Sequence, residues 1–170
     1  RAIRKVLTQE RKERLACVTA HGTATLFNDQ MESKAIENAG LGELLTSALK
    51  PHYGHTFGAS GIVESIITMC ALDEGLILPV LGFEELGVSG KMHPCSQLEK
   101  TDKKSFIKLQ SGFGGCNGAM IYAKAQAPAA RPAQAGYDVV KRLRITPEGL
   151  WVDDQAVALE GRGPALVTEI

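Results

Sequence analysis

Apolar residues recur along this chain with two periods, and their alternation sets out an order of elements. Ala2, Ile3, Val6 and Leu7 interleave with basic residues as a short amphipathic helix, and the charged run from Gln9 to Arg14 is expected to carry the chain across the surface. Leu15, Cys17 and Val18 form a compact apolar strand that delivers Ala20-His21-Gly22-Thr23-Ala24-Thr25 at its C-terminal end, where α/β proteins bind ligands. Asn28 or Asp29 is predicted to cap a helix through Met31, Glu32, Ala35 and Ile36 that stops at Gly40. Leu41 to Leu49 fits neither period. Ile62, Val63, Ile66, Ile67, Met69, Cys70 and Leu72 follow the 3.6-residue period of a buried helix starting near Gly58. Ahead of it, the stretch Lys50 to Gly61 holds Pro51 and Gly54, which resist regular structure.

Beyond Gly75 and Pro79, residues 80–104 read as a polar surface loop. Ser105 to Leu109 and Ala119 to Ala123 are predicted strands. They are joined by Ser111-Gly112-Phe113-Gly114-Gly115-Cys116-Asn117-Gly118, a turn whose glycines imply positive φ or close backbone approach. Residues 126–136 have the alanine and proline content of a linker, and 137–170 alternate as a small β-rich tail of hairpin type.

Composition narrows the class. A chain of 170 residues, 44% hydrophobic and 22% charged, can bury a core as one domain. Its 19 basic and 19 acidic residues cancel, which argues against nucleic acid or an anionic membrane surface as partner. The basic N-terminal stretch lacks the long apolar segment of a signal peptide, so a cytoplasmic location is expected. Cys17, Cys70, Cys95 and Cys116 are scattered without metal-type spacing and read as free thiols.

The candidate chemistry lies in the loops. His21, His55, Lys50 and Glu32 are the titratable candidates, with Thr23 and Thr25 as hydroxyl donors and the glycine turn as a source of backbone N–H groups. His55 falls just ahead of a helix N-terminus, where the dipole disfavours a protonated imidazole. A zinc site from His52 and His55 with His21 or a cysteine matches no structural pattern, and Pro51 and Gly54 oppose a helix carrying both. A dinucleotide loop at Gly112-Phe113-Gly114 would have to open a helix, whereas Ala119 to Ala123 reads as a strand. A lone histidine is most often a hydrogen-bonded core residue; three chemistry-bearing loops in one chain weigh against that for His21 and His55.

Over residues 15–124 these loops resemble the β-ketoacyl-acyl-carrier-protein synthases, the condensing enzymes of fatty-acid and polyketide synthesis. Ala20 to Thr25 is similar to the family's His-Gly-Thr-x-Thr motif, Lys50 to Gly61 to Lys-x-x-x-Gly-His followed by Gly-Ala-x-Gly, and Gly112 to Asn117 to Gly-Phe-Gly-Gly-Thr-Asn. The resemblance implies the C-terminal half of a thiolase-like α/β fold, α-β-α layers around a mixed sheet, in residues 1–125, with the linker at 126–136 and the tail at 137–170. It implies that His21 and His55 stabilise the enolate oxygen formed when malonyl-carrier protein loses carbon dioxide, both through Nε2, and that Lys50 pairs with Glu32 through a buried network. It further implies that Thr23 and Thr25 hold a phosphopantetheine arm, and that Phe113, beside Gly114, gates the acyl pocket.

The family's loop residues are not all kept. Leu26-Phe27-Asn28-Asp29 stands where the family has proline, an aliphatic residue and glycine, Leu109-Gln110-Ser111 where it has Asn-Ser-Phe, and Cys116 at its threonine. No cysteine sits in a strand-to-helix elbow, so the resemblance places the nucleophile in an N-terminal half. The expected partners are that half and acyl carrier protein, with no cofactor of the chain's own, no metal and a homo-oligomeric state that covers an apolar face, unless the tail covers it. The alternative is a non-catalytic, chain-length-factor-like partner subunit of a ketosynthase.

Overall fold

A computed structural model describes residues 1–124, 143–146, 149–152 and 155–157. The chain divides into two compact units, Arg1–Gln126 and Ala127–Ile170. The first begins with α1 (Ala2–Val6) and α2 (Gln9–Arg14), so the charged run is itself a helical turn, capped by the Thr8 hydroxyl accepting from the Arg11 N–H. β1 (Leu15–Thr19) follows, buried at every position. Burial on both faces is what a central parallel strand requires.

Then come α3 (Leu26–Asn38), β2 (Leu45–Ser47), α4 (Lys50–Tyr53), α5 (Ser60–Asp73), β3 (Leu76–Ile77), β4 (His93–Pro94), β5 (Glu99–Lys100), β6 (Ser105–Gly112) and β7 (Cys116–Ala123). The main sheet has the order β4-β2-β1-β6-β7. Its first four strands are parallel, and β7 returns antiparallel to β6. On one face Val18, Ile107 and Leu109 pack with Ile36 of α3 and Ile3 of α1; on the other, Cys17 and Phe106 pack with Leu72 of α5, Ile77 and Cys95. The expected α-β-α layering around a mixed sheet is therefore what forms.

Four local expectations are corrected. α3 starts at Leu26, with Thr25 at the cap position, because the Asp29 side chain accepts from the Thr23 N–H instead of capping the helix. Lys50-Pro51-His52-Tyr53 is one helical turn, since a proline in the first turn forfeits no intrahelical bond. The ambiguous 41–49 stretch yields strand β2, and the 80–104 excursion supplies edge strand β4 and the fully buried Cys95.

The fourth concerns α5, whose apolar period is real but faces outward. Ser60, Glu64, Ser65, Thr68 and Leu72 are its buried residues, while Ile62, Ile66 and Met69 are exposed. A helix whose polar stripe faces the sheet and whose apolar stripe faces away is inverted relative to a surface helix.

In the second unit, β8 (Leu143–Thr146), β9 (Gly149–Val152) and β10 (Gln155–Val157) form a three-stranded antiparallel sheet, one strand more than a hairpin. The 126–136 linker lies outside the described residues. No helix among the described residues is long and apolar enough to cross a membrane.

Candidate active site

The C-terminal end of β1 and the N-terminal end of α5 meet over the sheet, and His21 and His55 come together there. Their ring centroids are 5.3 Å apart, edge to face. His21 is buried and His55 exposed. The surrounding hydrogen bonds fix both tautomers.

Lys50 Nζ has three N–H groups and three acceptors: Glu64 Oε1 at 2.7 Å, the His21 carbonyl, and His21 Nδ1 at 3.3 Å. An ammonium donates and never accepts, so Nδ1 of His21 is bare and its proton sits on Nε2. At His55 the Phe57 backbone N–H donates to Nδ1 at 2.9 Å, with the same result. Phe57 reaches this position with φ of +49°, a left-handed conformation that strains a bulky residue. With these bonds both imidazoles present Nε2–H as a donor.

The surroundings disfavour protonation of His21. Burial lowers its pKa, and the Lys50 ammonium and, more weakly, Lys108 add to that, against a hydrogen bond to Gln110.

Glu32 is not the direct partner of Lys50. Glu32 is buried, but its carboxylate accepts from the backbone N–H of His21 at 2.7 Å and of Gly22 at 2.9 Å, not from Lys50. Burial pushes its carboxyl up, against the pull of those two donors. It shapes the loop.

The lysine's partner is Glu64, fully buried on the inward stripe of α5. One Glu64 oxygen accepts from Lys50 and from Ser60 Oγ at 2.7 Å; the other pairs with Lys108 of β6, which also donates to the Ala20 carbonyl at 2.9 Å. Burial alone would push the Glu64 carboxyl up, yet the two ammoniums and the Ser60 hydroxyl hold it below the usual carboxylate range. Glu64 and Lys108 escaped the sequence reasoning. The signal was there: each is a lone charge within an apolar segment, Ile62 to Leu72 and Phe106 to Leu109, and the two are of opposite sign.

Thr23 and Thr25 sit beside each other, hydroxyl to hydroxyl at 2.8 Å, Thr23 half-buried and Thr25 exposed. Phe113 and Gly114 lie exposed at the tip of the β6–β7 hairpin, where Gly114 and Gly115 take the positive φ expected of that turn. Gln110, just below, adjoins Gly61 and the His21 imidazole. Among the described residues no group of three His, Cys, Asp or Glu side chains is placed to hold a metal ion. All four cysteines are free; burial pushes the Cys17 thiol up to about 12 and raises that of Cys95.

Gly22 is the tightest point of the loop. Its φ is +45°, and a Cβ there would sit 2.7 Å from the Ala48 Cβ. Gly22→Ala should therefore destabilise the protein by about 1–3 kcal/mol, through clash and strain together. Gly58→Ala, where a Cβ meets nothing within 4 Å, should leave thermal unfolding unchanged.

Comparison with known proteins converges on one family. Residues 1–84 match the family described as Beta-ketoacyl synthase, C-terminal domain. The 3-oxoacyl-[acyl-carrier-protein] synthase 2 of Vibrio cholerae is 35% identical over 118 residues, which are 65% of this chain and 28% of that enzyme. The chain thus spans little more than a quarter of that relative's length. Among solved structures, a beta-ketoacyl synthase from Burkholderia phymatum superimposes with a TM-score of 0.63 at 26% identity, over 68% of this chain and 29% of that one. A type II polyketide synthase acyl-carrier protein in complex with its ketosynthase matches with a TM-score of 0.61 at 24% identity, over 66% of this chain and 29% of the other. The fold is thiolase-like, as that of the ketosynthases is.

Proposed function

With the C-terminal domain of a β-ketoacyl synthase in residues 1–84 as premise, we propose that this chain is the enolate-stabilising part of an acyl-condensing enzyme of fatty-acid or polyketide synthesis. In that reaction the bond between the malonyl carboxylate and its α-carbon breaks and carbon dioxide leaves. The electron pair passes into the thioester as an enolate. The enolate carbon then attacks the carbonyl of an acyl group held on a cysteine, whose thiolate departs.

The observation that supports this reading is the pair of neighbouring imidazoles whose Nδ1 atoms are both engaged, leaving Nε2–H as the donor on each. A developing enolate oxygen needs fixed donors of this kind. The malonyl group arrives on the phosphopantetheine of an acyl carrier protein, whose arm would pass the Thr23 and Thr25 hydroxyls, with Phe113 at the mouth of the acyl pocket. A chain-length-factor-like subunit has no use for the donor pair.

The nucleophile has to come from an N-terminal half. Acyl transfer needs a thiolate, and Cys17 and Cys95 are buried with raised pKa values, while Cys70 lies inside α5 and Cys116 at the base of the glycine turn. The outward stripe of Ile62, Ile66 and Met69 is the face such a half would cover. Incubated alone with labelled acyl- and malonyl-carrier protein, the 170-residue chain should form no condensation product, and light scattering should show it associated. Supplying a ketosynthase N-terminal half should restore both product and a defined stoichiometry. Steady product formation by a clean monomer would refute the assignment and point to one of the four cysteines.

A further inference from the structure

Lys108 has no part in the chemistry above, and its position is costly. It lies in β6 between Ile107 and Leu109, nearly fully buried. An apolar side chain could pack there without the penalty of desolvating an ammonium, and ion pairs buried in this way are seldom retained for stability alone. Its partners are specific: the Glu64 oxygen that Lys50 does not use, and the carbonyl of Ala20, the residue before His21.

We propose that Lys108 is a positioning residue: from the sheet side it holds Glu64, which holds Lys50, which holds the His21 imidazole in its Nε2–H form. Each link is a hydrogen bond between buried groups, and the series joins β6 to α5, α5 to α4, and α4 to the end of β1. The Ala20 contact ties the same ammonium to the backbone that carries His21.

The charges around the cluster fit this role. Lys50 and Tyr53 face it from α4, Glu64 from α5, Glu32 from α3, and His55 from the loop before α5. Glu32 is engaged by two backbone N–H groups, so Glu64 alone is shared by two ammoniums. The surplus positive charge opposes protonation of His21. Without Lys108, one Glu64 oxygen is released, Lys50 is free to shift toward it, and Nδ1 loses its obligatory donor. The inference deepens the enolate-stabilising role of His21 and rests on it for its significance.

The test is nitrogen-15 NMR of histidine-labelled 170-residue chain, which separates the two imidazole tautomers without any turnover. Wild type should show His21 with Nδ1 bare and Nε2 protonated. In Lys108→Met the two nitrogens should move toward averaged shifts, and the titration midpoint of His21 should rise. Lys108→Gln should behave like Lys108→Met, and Lys108→Arg should retain the wild-type pattern. Wild-type His21 signals in either neutral variant would overturn the proposal; with a lowered melting temperature, they would make Lys108 a purely structural residue. Failure of the wild-type chain to support decarboxylation when completed by an N-terminal half would sink the proposed function instead, while the tautomer shifts would still decide the role of Lys108.

Discussion

Replacing His21 or His55 by alanine in an enzyme completed with an N-terminal half should lower malonyl decarboxylation by about 10²- to 10³-fold for each residue, the usual cost of removing one preorganised donor from a developing oxyanion. The expectation follows from the free donors. Lys50 occupies Nδ1 of His21 and the Phe57 N–H occupies Nδ1 of His55, so Nε2–H is the one N–H left on each ring, with Gln110 beside that of His21. The two ring centroids lie 5.3 Å apart, edge to face. Acyl transfer to the cysteine generates no enolate, so acyl-enzyme formation, followed by intact mass, should suffer much less than carbon dioxide release. The double variant should lose less than the product of the two single effects, because the remaining donor works on an oxygen that has already moved. Decarboxylation close to the wild-type rate in both single variants, or equal losses in both half-reactions, would return the histidines to a structural role.

The parts of the site legible in the sequence are those fixed by local chemistry. Loops rich in glycine and histidine at the ends of apolar elements announce themselves, and His21, His55 and Lys50 do lie together at one end of the sheet. Which acid partners the lysine was not legible. Glu32 and Glu64 are both buried glutamates, and the choice between them depends on which helix lies on which face of the sheet. α3 offers Glu32 to the His21-Gly22 backbone, whereas α5 offers Glu64 beneath Lys50. Periodicity located α5 as a buried helix but did not show that its sheet-facing stripe is the polar one. The rule that apolar stripes turn inward presumes that the whole core belongs to the chain in hand. Here the inward stripe is polar because it carries the site, and the outward one is apolar.

Glu64 should therefore be the residue whose loss the fold tolerates least. Glu64→Gln removes the counterion of two buried ammoniums at once, and breaking a buried pair from one side typically costs about 3–5 kcal/mol, roughly 10 °C in melting temperature for a chain of this size. The pH dependence separates charge from packing. In the wild-type protein the folded carboxyl titrates below its unfolded value, so its contribution is present above the ordinary carboxylate range and fades as pH falls through the lower, folded value. In the variant the uncompensated lysines take over. Burial already lowers the folded pKa of Lys108, and without Glu64 it falls further, so the folded state binds fewer protons than the unfolded chain and stability rises with pH. The gap between wild type and Glu64→Gln should consequently narrow in alkaline buffer, and Lys108→Met added to Glu64→Gln should recover part of the loss at neutral pH. A deficit that is constant with pH, and unrelieved by Lys108→Met, would mean that Glu64 matters for its shape and not for its charge.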